Sequence, residues 1–248
     1  NCTVTTGKSS EIHVVVKYTY SDGEYKPIFR ESGNTLVMKE DFLKRHTNGR
    51  SEWTVTVPAE TKLDCTAASG NIKISGLRED VDASVASGNV KISDVRGKVE
   101  AEAASGNVRL MGIKGDVDVS TASGNIKVKD IHGKLDAKAS SGNITAESLT
   151  LTGEGEFKVA SGNIKVYLDK SPEHDLEMKT SSGNLLLDYK GNELKGTFEV
   201  KGMKGSVRVP SSFTEKSSKY SPYGKWYYSN GNYPKIKLKT ASGGIKIR

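Results

Sequence analysis

Apolar and polar residues alternate in short runs through most of the chain. Around the middle of the sequence, for example, alternating runs cover residues 108–110 and 117–121. Alternation with a period of two is typical of β-strands that bury one face. There is no 3.6-residue apolar period, and glycine recurs too often for helices. The pattern therefore predicts an all-β protein.

The same apolar positions return every 18 residues, so they form columns when the repeats are aligned. The clearest columns are Ile72, Val90, Val108, Ile126 and Ile144; Leu77, Val95, Ile113, Ile131 and Leu149; and Val81, Val99, Val117 and Leu135. If the repeats stack on one another, each column becomes a continuous buried ladder. A short fixed period of this kind predicts a solenoid in which each coil contacts only its neighbours.

The triplet Ser-Gly-Asn marks the period. It begins at Ser69 and recurs in steps of 18, then of 20 and 21 residues, before a degenerate copy, Ser242-Gly243-Gly244. Glycine tolerates positive φ, and asparagine adopts the left-handed region more readily than most residues, so the triplet predicts a corner. The predicted corner residues are Gly70, Asn71, Gly88, Asn89, Gly106, Asn107, Gly124, Asn125, Gly142 and Asn143.

The coils should stack about 4.8 Å apart, with parallel strands in register between them. A second corner is expected at Gly97, Gly115 and Gly133, and the stacked asparagines can hydrogen-bond along the axis. The fold class expected is a single-stranded parallel β-helix or β-roll of about 18–21 residues per coil. Right-handed winding is expected because parallel crossover connections are right-handed.

The repeat divides one continuous domain into four parts. Residues 1–65 are strand-like without the period and are expected to form irregular N-terminal coils or a cap. Residues 66–210 form the regular solenoid, 211–233 an aromatic-rich insertion, and 234–248 the final coil.

Charged residues are sorted into columns of one sign, in a chain with a formal net charge of +7 and a sequence pI near 9.2. One basic ladder contains Lys73, Lys91, Arg109 and Lys127, with Lys165 as its continuation; a second contains Arg78, Arg96, Lys114 and His132; an acidic ladder contains Asp82, Glu100, Asp118 and Asp136. They can be read as solvated faces, as a basic stripe for an acidic glycan, or as a calcium site on the acidic ladder. Nucleic acid would suit the charge, but no nucleic-acid-binding motif is present, so we do not expect that partner.

Aromatic residues cluster in the insertion. They are Tyr220, Tyr223, Trp226, Tyr227, Tyr228 and Tyr233, interspersed with Ser, Pro, Gly and Asn. This composition predicts a loop. Aromatic faces can stack on sugars or pack in a protein interface, and loops on rigid scaffolds commonly carry binding function. We therefore place the ligand site here and not along the charged ladders, with a cover over the side or open end of the solenoid as the alternative.

The two cysteines, Cys2 and Cys65, permit a disulfide between the first segment and the start of the repeats. Two unrelated buried thiols are the alternative. No apolar run reaches the roughly 20 residues of a membrane-spanning helix. Because the sequence starts at Asn1 and not at Met, we expect that a leader was removed.

No signature of an enzyme is visible. The four histidines, His13, His46, His132 and His174, lack metal-ligand spacing, and no nucleophile-elbow, phosphate-loop or paired-cysteine motif occurs. We expect neither a metal nor a cofactor, and the oligomeric state is open.

The stretch 53–74, in which a strand ending in Val57-Pro58 leads through a polar link to the first Ser-Gly-Asn, resembles the opening of the bacterial "putative adhesin" family of β-strand repeats. The resemblance covers about residues 53–209. It implies a β-helix or β-roll and an extracellular or cell-envelope location, and it supplies no catalytic residues to carry over. It thus favours an adhesin-like or scaffold protein that binds a glycan or another surface protein. A carbohydrate-active enzyme on a β-helix and a purely structural spacer are the alternatives.

Overall fold

A computed structural model describes residues 1–45, 47–216 and 220–248, and these residues form strands and no helix. The N-terminal strands are β1 Cys2–Thr6, β2 His13–Tyr18, β3 Tyr25–Ser32, β4 Thr35–Phe42 and β5 Ser51–Val57. The repeat strands are β6 Leu63–Ser69, β7 Ile72–Ser75, β8 Val81–Ser87, β9 Val90–Val95, β10 Val99–Ser105, β11 Val108–Lys114, β12 Val117–Ser123, β13 Ile126–Ser141, β14 Ile144–Ser161, β15 Ile164–Tyr167, β16 Leu176–Ser182 and β17 Leu185–Asp188. The C-terminal strands are β18 Gly196–Met203, β19 Val207–Arg208, β20 Thr214–Glu215, β21 Tyr223–Asn230, β22 Lys235–Ser242 and β23 Ile245–Ile247.

Each regular coil contributes one strand to each of two faces of a parallel solenoid. The first face consists of the strands that precede a Ser-Gly-Asn corner, starting with β6, β8, β10 and β12. The second face consists of the strands that follow it, starting with β7, β9 and β11. The long strands β13 and β14 bend from the second face of one coil into the first face of the next. The predicted stacked solenoid is thus confirmed, while its winding sense stays a prediction.

The three apolar columns form the core in the predicted register. Val90 pairs with Ile72 and Val108, for example, and Val99 pairs with Val81 and Val117. All members of the three columns are buried. Burial of such side chains contributes about 25 cal/mol for each Å² of apolar surface removed from water, which makes the ladders the main source of stability.

The glycine of each corner is required by close approach between coils. A Cβ atom added at Gly106 would lie 1.7 Å from the carbonyl oxygen of Gly88, and φ at Gly106 is +147°. The second corner has the same property, since a Cβ at Gly115 would lie 2.2 Å from the oxygen of Gly97. Stacking at the strand spacing therefore excludes any side chain at these positions.

The C-terminal residues do not form the last coil, contrary to the order expected from the sequence. Strand β22 pairs in parallel with β16 on one side and with β18 on the other. Strand β23 likewise lies between β17 and β19. After β17 the chain leaves one position in the stack open and builds the outer coil β18–β19. It then returns, so that β22 and β23 occupy the open position, or rung, between β16–β17 and β18–β19. The position of a coil in the stack is decided by its pairing partners and not by its order in the chain.

The N-terminal end is built in the same way. Strand β1 lies between β5 and β7, with parallel pairing to both, although it precedes β5 by some 50 residues. The outer edge of β5 is covered by the antiparallel strand β2, and β3 and β4 form a separate antiparallel hairpin. At the other end β21 covers β18 in the same manner. Antiparallel covering strands leave short outer edges, which limits edge-to-edge association of solenoid ends.

The central part of the aromatic insertion is a strand, β21, and not the predicted loop, while Tyr220 and Tyr233 lie outside it. Strand β21 pairs antiparallel with β18 along its whole length, and β20 adds two residues on its outer side. Its residues alternate in burial, with Gly224 and Trp226 buried. Composition alone suggested a loop because β21 covers the edge of β18 outside the repeat. Its pairing with β18 therefore leaves no periodic pattern in the sequence.

In the described part of the chain, no helix is long and apolar enough to cross a membrane.

Candidate binding groove on the second face

The corner asparagines form a continuous hydrogen-bonded ladder along one edge of the second face. The Oδ1 atom of Asn107 accepts hydrogen bonds from the backbone N–H of Asn125 at 3.0 Å and from its Nδ2 at 3.1 Å. The same two bonds recur at each step of the ladder, which contains Asn1, Asn71, Asn89, Asn107, Asn125, Asn143, Asn163 and Asn184. Asn1 was not predicted as a member because no Ser-Gly precedes it.

Each asparagine retains donor capacity beyond the ladder. A carboxamide nitrogen carries two hydrogens, and the ladder bond between Asn107 and Asn89 uses only one of them. The Oδ1 atom, by contrast, already accepts two bonds. The exposed edge of the ladder is therefore a row of N–H donors suited to acceptor-rich ligands.

The predicted basic ladder runs beside the asparagines on the same face. Lys73 pairs with Lys91, Lys91 with Arg109, and Arg109 with Lys127. Thr145 follows, and then Lys165 continues the column as expected. All five cationic side chains are exposed.

The column is poorly neutralised. Lys127 lies 3.3 Å from Glu147. Among the described residues, Lys73, Lys91, Arg109 and Lys165 have no carboxylate within 4.0 Å. Like charges about 5 Å apart repel by roughly 1 kcal/mol per pair in water, so an anion laid along the column would relieve this repulsion.

Between the two ladders lies a groove of about 760 Å³. Its lining repeats from coil to coil as an asparagine, a buried aliphatic residue and a polar side chain, from Asn89, Val90 and Lys91 to Asn163 and Lys165. None of the lining residues is acidic. Each coil along the groove therefore presents an asparagine N–H donor, and most coils also present a lysine or arginine cation.

The aromatic residues predicted as a ligand site do not form one surface. Trp226 is 8% exposed, and Tyr228 stacks on Phe213 with ring centroids 5.1 Å apart. Both close the end of the core, and Phe198 packs against Tyr228 from within it.

The other tyrosines point outward. Tyr227 lies beneath Lys216, whose Nζ is 5.7 Å from the ring centroid. Tyr223 and Tyr220 are exposed, and the Tyr233 hydroxyl is 3.3 Å from His174 Nδ1 on a different segment. A ligand at this end of the rod would therefore meet only part of the cluster, and the binding role of these residues stays a prediction.

The acidic ladder is longer than the sequence period suggested. Asp64, Glu156 and Glu177 extend the predicted column of Asp82, Glu100, Asp118 and Asp136 at its two ends. Burial, and then the charges of Asp64 and Glu100, raise the pKa of Asp82 above its usual range. Lysines neutralise part of the ladder, as in the 2.7 Å pair between Lys138 and Asp136. No group of three or more His, Cys, Asp or Glu side chains among the described residues is placed to hold a metal ion; His46 lies outside those residues.

Sequence reasoning missed a further basic column, on the first face, beyond the two basic ladders that it predicted. It consists of Lys138, Lys158, Lys179, Lys239, Lys201 and Lys225 in spatial order. Four of its members, Lys138, Lys158, Lys179 and Lys239, stand three residues before the serine of a corner triplet, and this offset could have revealed them. Lys201 and Lys225 follow no such triplet, and only the pairing of β18 with β22 and β21 places them in the column.

A parallel β-solenoid with repeated polar ladders is the class of protein that this architecture defines. The family described as Toastrack DUF4097 matches residues 1–197, and the chain therefore belongs to this family. This confirms the β-repeat family expected from the Ser-Gly-Asn motif. The matched residues contain the whole groove.

No curated protein matches the chain. One solved structure does, a "putative cell adhesion protein" from Clostridium sporogenes that is 14% identical, with 99% of this chain and 86% of that chain covered and a TM-score of 0.25. A likeness of this size says nothing about function.

Proposed function

We propose that this protein is a non-catalytic, adhesin-like binding protein of the bacterial cell envelope, and that its second-face groove binds an extended acidic glycan. The observation that carries the proposal is the groove itself, where the row of asparagine N–H donors runs parallel to a row of exposed cations largely without carboxylate partners. The envelope location rests on the resemblance of the repeat to adhesin-type sequences.

An extended polymer fits the groove better than a compact ligand. Stacked strands place equivalent side chains about 4.8 Å apart, so Lys91, Arg109 and Lys127 offer cations at regular intervals. A ligand with one anionic group would meet one coil only. A chain with repeated anionic groups engages several coils at once, and each further contact forms at high effective concentration.

The composition of the groove argues against hydrolysis of a bound glycan. Glycoside hydrolysis typically uses a pair of carboxyl groups on either side of the scissile bond, and the groove is lined by Asn, Val, Ile, Thr, Lys and Arg. A glycoside hydrolase would need its carboxylates on another surface, such as the acidic ladder of the first face.

The test is a comparison of binding to polygalacturonate, to heparin and to neutral dextran by biolayer interferometry at several salt concentrations. We expect binding to at least one of the anionic polymers, no binding to dextran, and weakening with salt because exposed charges are screened. The triple variant Lys91→Ala, Arg109→Ala, Lys127→Ala should bind roughly tenfold or more weakly, on the basis of about 0.5–1 kcal/mol per exposed ionic contact.

The matched control is Lys17→Ala, Lys26→Ala, Lys39→Ala, which removes the same charge from exposed positions outside the groove. It should bind within about twofold of the parent protein, since a remote charge acts only through the screened long-range field. Equal weakening in both triples would mean that net charge and not the groove attracts the polymer. Release of reducing sugar or of unsaturated sugar from any polymer would reject the non-catalytic assignment.

A further inference from the structure

The two half-buried cysteines meet at the N-terminal end of the core. Cys2 lies in the inserted strand β1 of the second face, and Cys65 lies in β6, the first strand of the first face. Each is on the inward side of its strand, Cys2 two residues before buried Val4 and Cys65 between Leu63 and Ala67. Both side chains pack against the same buried core, close enough that each shifts the pKa of the other, and neither is part of a disulfide.

The contact lies where the fold gains most from a covalent link. Strand β1 is joined to the solenoid by pairing with β5 and β7 and by the asparagine ladder. Strand β6 belongs to the first coil whose two faces both follow the repeat. A bond between Cys2 and Cys65 would close a loop that contains the whole N-terminal cap, and long closed loops restrict the unfolded chain strongly.

We propose that Cys2 and Cys65 form an intramolecular disulfide that fastens the inserted N-terminal strand to the first regular coil. The oxidant is an external disulfide, either a small molecule or a protein. The Cys2 thiolate attacks one sulfur of this disulfide and forms a mixed disulfide, while the other sulfur leaves as a thiolate. Cys65 then attacks the Cys2 sulfur and expels the second thiolate. The two protons of the original thiols end on the two released thiolates, so the external disulfide is reduced to two thiols as the pair is oxidised.

The environment of the pair suits this order of attack. The hydrogen bond from Cys65 holds the pKa of Cys2 below its ordinary value, which makes Cys2 the better nucleophile near neutral pH. The hydrogen bond with Cys2, followed by burial and by the charge of the Cys2 thiolate, raises the pKa of Cys65. When Cys2 enters the mixed disulfide it no longer carries a negative charge, so this charge no longer raises the pKa of Cys65. Cys65 then ionises more readily and acts as the resolving thiol.

The experiment treats the full chain with oxidised glutathione and follows it by intact mass, by a non-reduced proteolytic digest and by thermal unfolding. We expect a monomer that has lost two hydrogen atoms, a single linked peptide pair containing Cys2 and Cys65, and a Tm higher by roughly 10 °C than that of the reduced protein. Addition of a reductant should return the Tm to its starting value.

The variants Cys2→Ser and Cys65→Ser are the controls, since serine is close to cysteine in size at these half-buried sites. Both should fold with the strand-rich circular dichroism of the parent, and neither should gain Tm on oxidation. A lasting mixed disulfide with glutathione, or a link between two chains, would overturn the proposed pairing. A linked monomer whose Tm equals that of the reduced protein would overturn the fastening role.

Discussion

The Oδ1 atom of Asn1 accepts hydrogen bonds from the backbone nitrogen of Asn71 at 2.8 Å and from its Nδ2 at 3.3 Å, across 70 residues of sequence. These are the same two bonds that link every later pair of corner asparagines. At the far end, the backbone N–H of Gly244 donates to Asn184 Oδ1 at 2.8 Å. The ladder therefore begins and ends on strands that were inserted into the stack, and it connects both to the regular coils.

Removal of one asparagine from the middle of the ladder should destabilise the protein. In Asn107→Ala the backbone N–H of Asn125 loses its acceptor, and so does the Asn125 side chain. We expect a loss of about 1–3 kcal/mol in the free energy of unfolding, measured by urea denaturation. The exposed neighbour Arg109 provides the control, because Arg109→Ala should change the free energy of unfolding by no more than about 0.5 kcal/mol. Equal effects of the two changes would show that the ladder adds no stability.

A methyl group at a stacking corner should be far more harmful than one at an open turn. Gly106→Ala would place Cβ 1.7 Å from the oxygen of Gly88, so adjacent coils would have to separate. Gly205 also has positive φ, at +81°, but an added Cβ would have nothing within 4 Å. Gly205→Ala should therefore cost about 1–2 kcal/mol from backbone strain alone, whereas Gly106→Ala should lose more than about 4 kcal/mol or all soluble yield. Similar stability in the two variants would contradict the close stacking.

Truncation after Pro234 tests the inserted C-terminal rung. Loss of β22 and β23 leaves β18 without its parallel partner, so hydrogen exchange should become fast at residues 196–203 and 223–230, which precede the cut. Residues 81–161 should keep their protection, because adjacent coils still pair there. If 235–247 were the outermost coil, the truncated protein would keep protection at 196–203. The full-length variant Leu238→Ala, which leaves the rung in place but opens a cavity, should show an intermediate effect.

The ion pair that closes the C-terminal coil should make stability depend on pH. Arg248 Nε and one terminal guanidinium nitrogen lie 2.9 and 2.8 Å from Asp188 Oδ2, and the Lys190 N–H donates to Oδ1 at 2.9 Å. Burial on its own would raise the pKa of Asp188, but the Lys190 N–H and Arg248 outweigh it and hold the pKa below its ordinary value. A lowered pKa means that the carboxylate stabilises the fold above pH ~4 and that this contribution disappears as pH falls through the folded-state value.

We therefore expect Asp188→Asn to lose about 1–2 kcal/mol at pH 7 and to approach the parent protein in stability only as the pH falls below the lowered folded-state pKa of Asp188. Urea denaturation at a series of pH values gives the difference directly. Arg248→Ala should change stability in the same direction by a smaller amount, because the Lys190 hydrogen bond remains. A difference between Asp188→Asn and the parent protein that stays constant from pH 7 to the lowest pH at which both remain folded would rule out the ion pair as its cause.

Single substitutions can distinguish the aromatic residues that pack against the core from those that are available to contact a ligand. Trp226 is buried against the end of the core, so Trp226→Ala should cost about 3–5 kcal/mol. Tyr227 points outward beside Lys216, and Tyr227→Ala should cost less than about 1 kcal/mol. Thermal unfolding measures both. Weaker binding to cells or glycans in Tyr227→Ala at unchanged Tm would support a ligand at this end of the rod, and unchanged binding would remove Tyr227 from that assignment.

Local pattern predicted the regular part of the fold well. Stacked coils bring residues 18 apart into contact, so a residue such as Val108 must be apolar wherever its counterparts Val90 and Ile126 are apolar. The same reasoning located the glycine corners and the basic ladder of the groove. Reasoning from the repeat failed for β21. This strand pairs with β18 outside the regular coils, so its position leaves no periodic pattern in the sequence.

The sequence by itself determined the repeat, the inward and outward side of each regular strand, and the ladder of asparagines and cations that lines the groove, because these depend on contacts between neighbouring coils at constant spacing. Only the tertiary structure decided that β1 and β22–β23 are inserted into the stack and that Asn1 starts the ladder. It also decided that Lys201 and Lys225 join the lysine column of the first face, and that Cys2 meets Cys65. Any strand with a suitable apolar face can pair with an open rung, and which strand fills it depends on the relative free energy of all the alternative pairings. That comparison involves strands far apart in the chain, and no periodic signal records it.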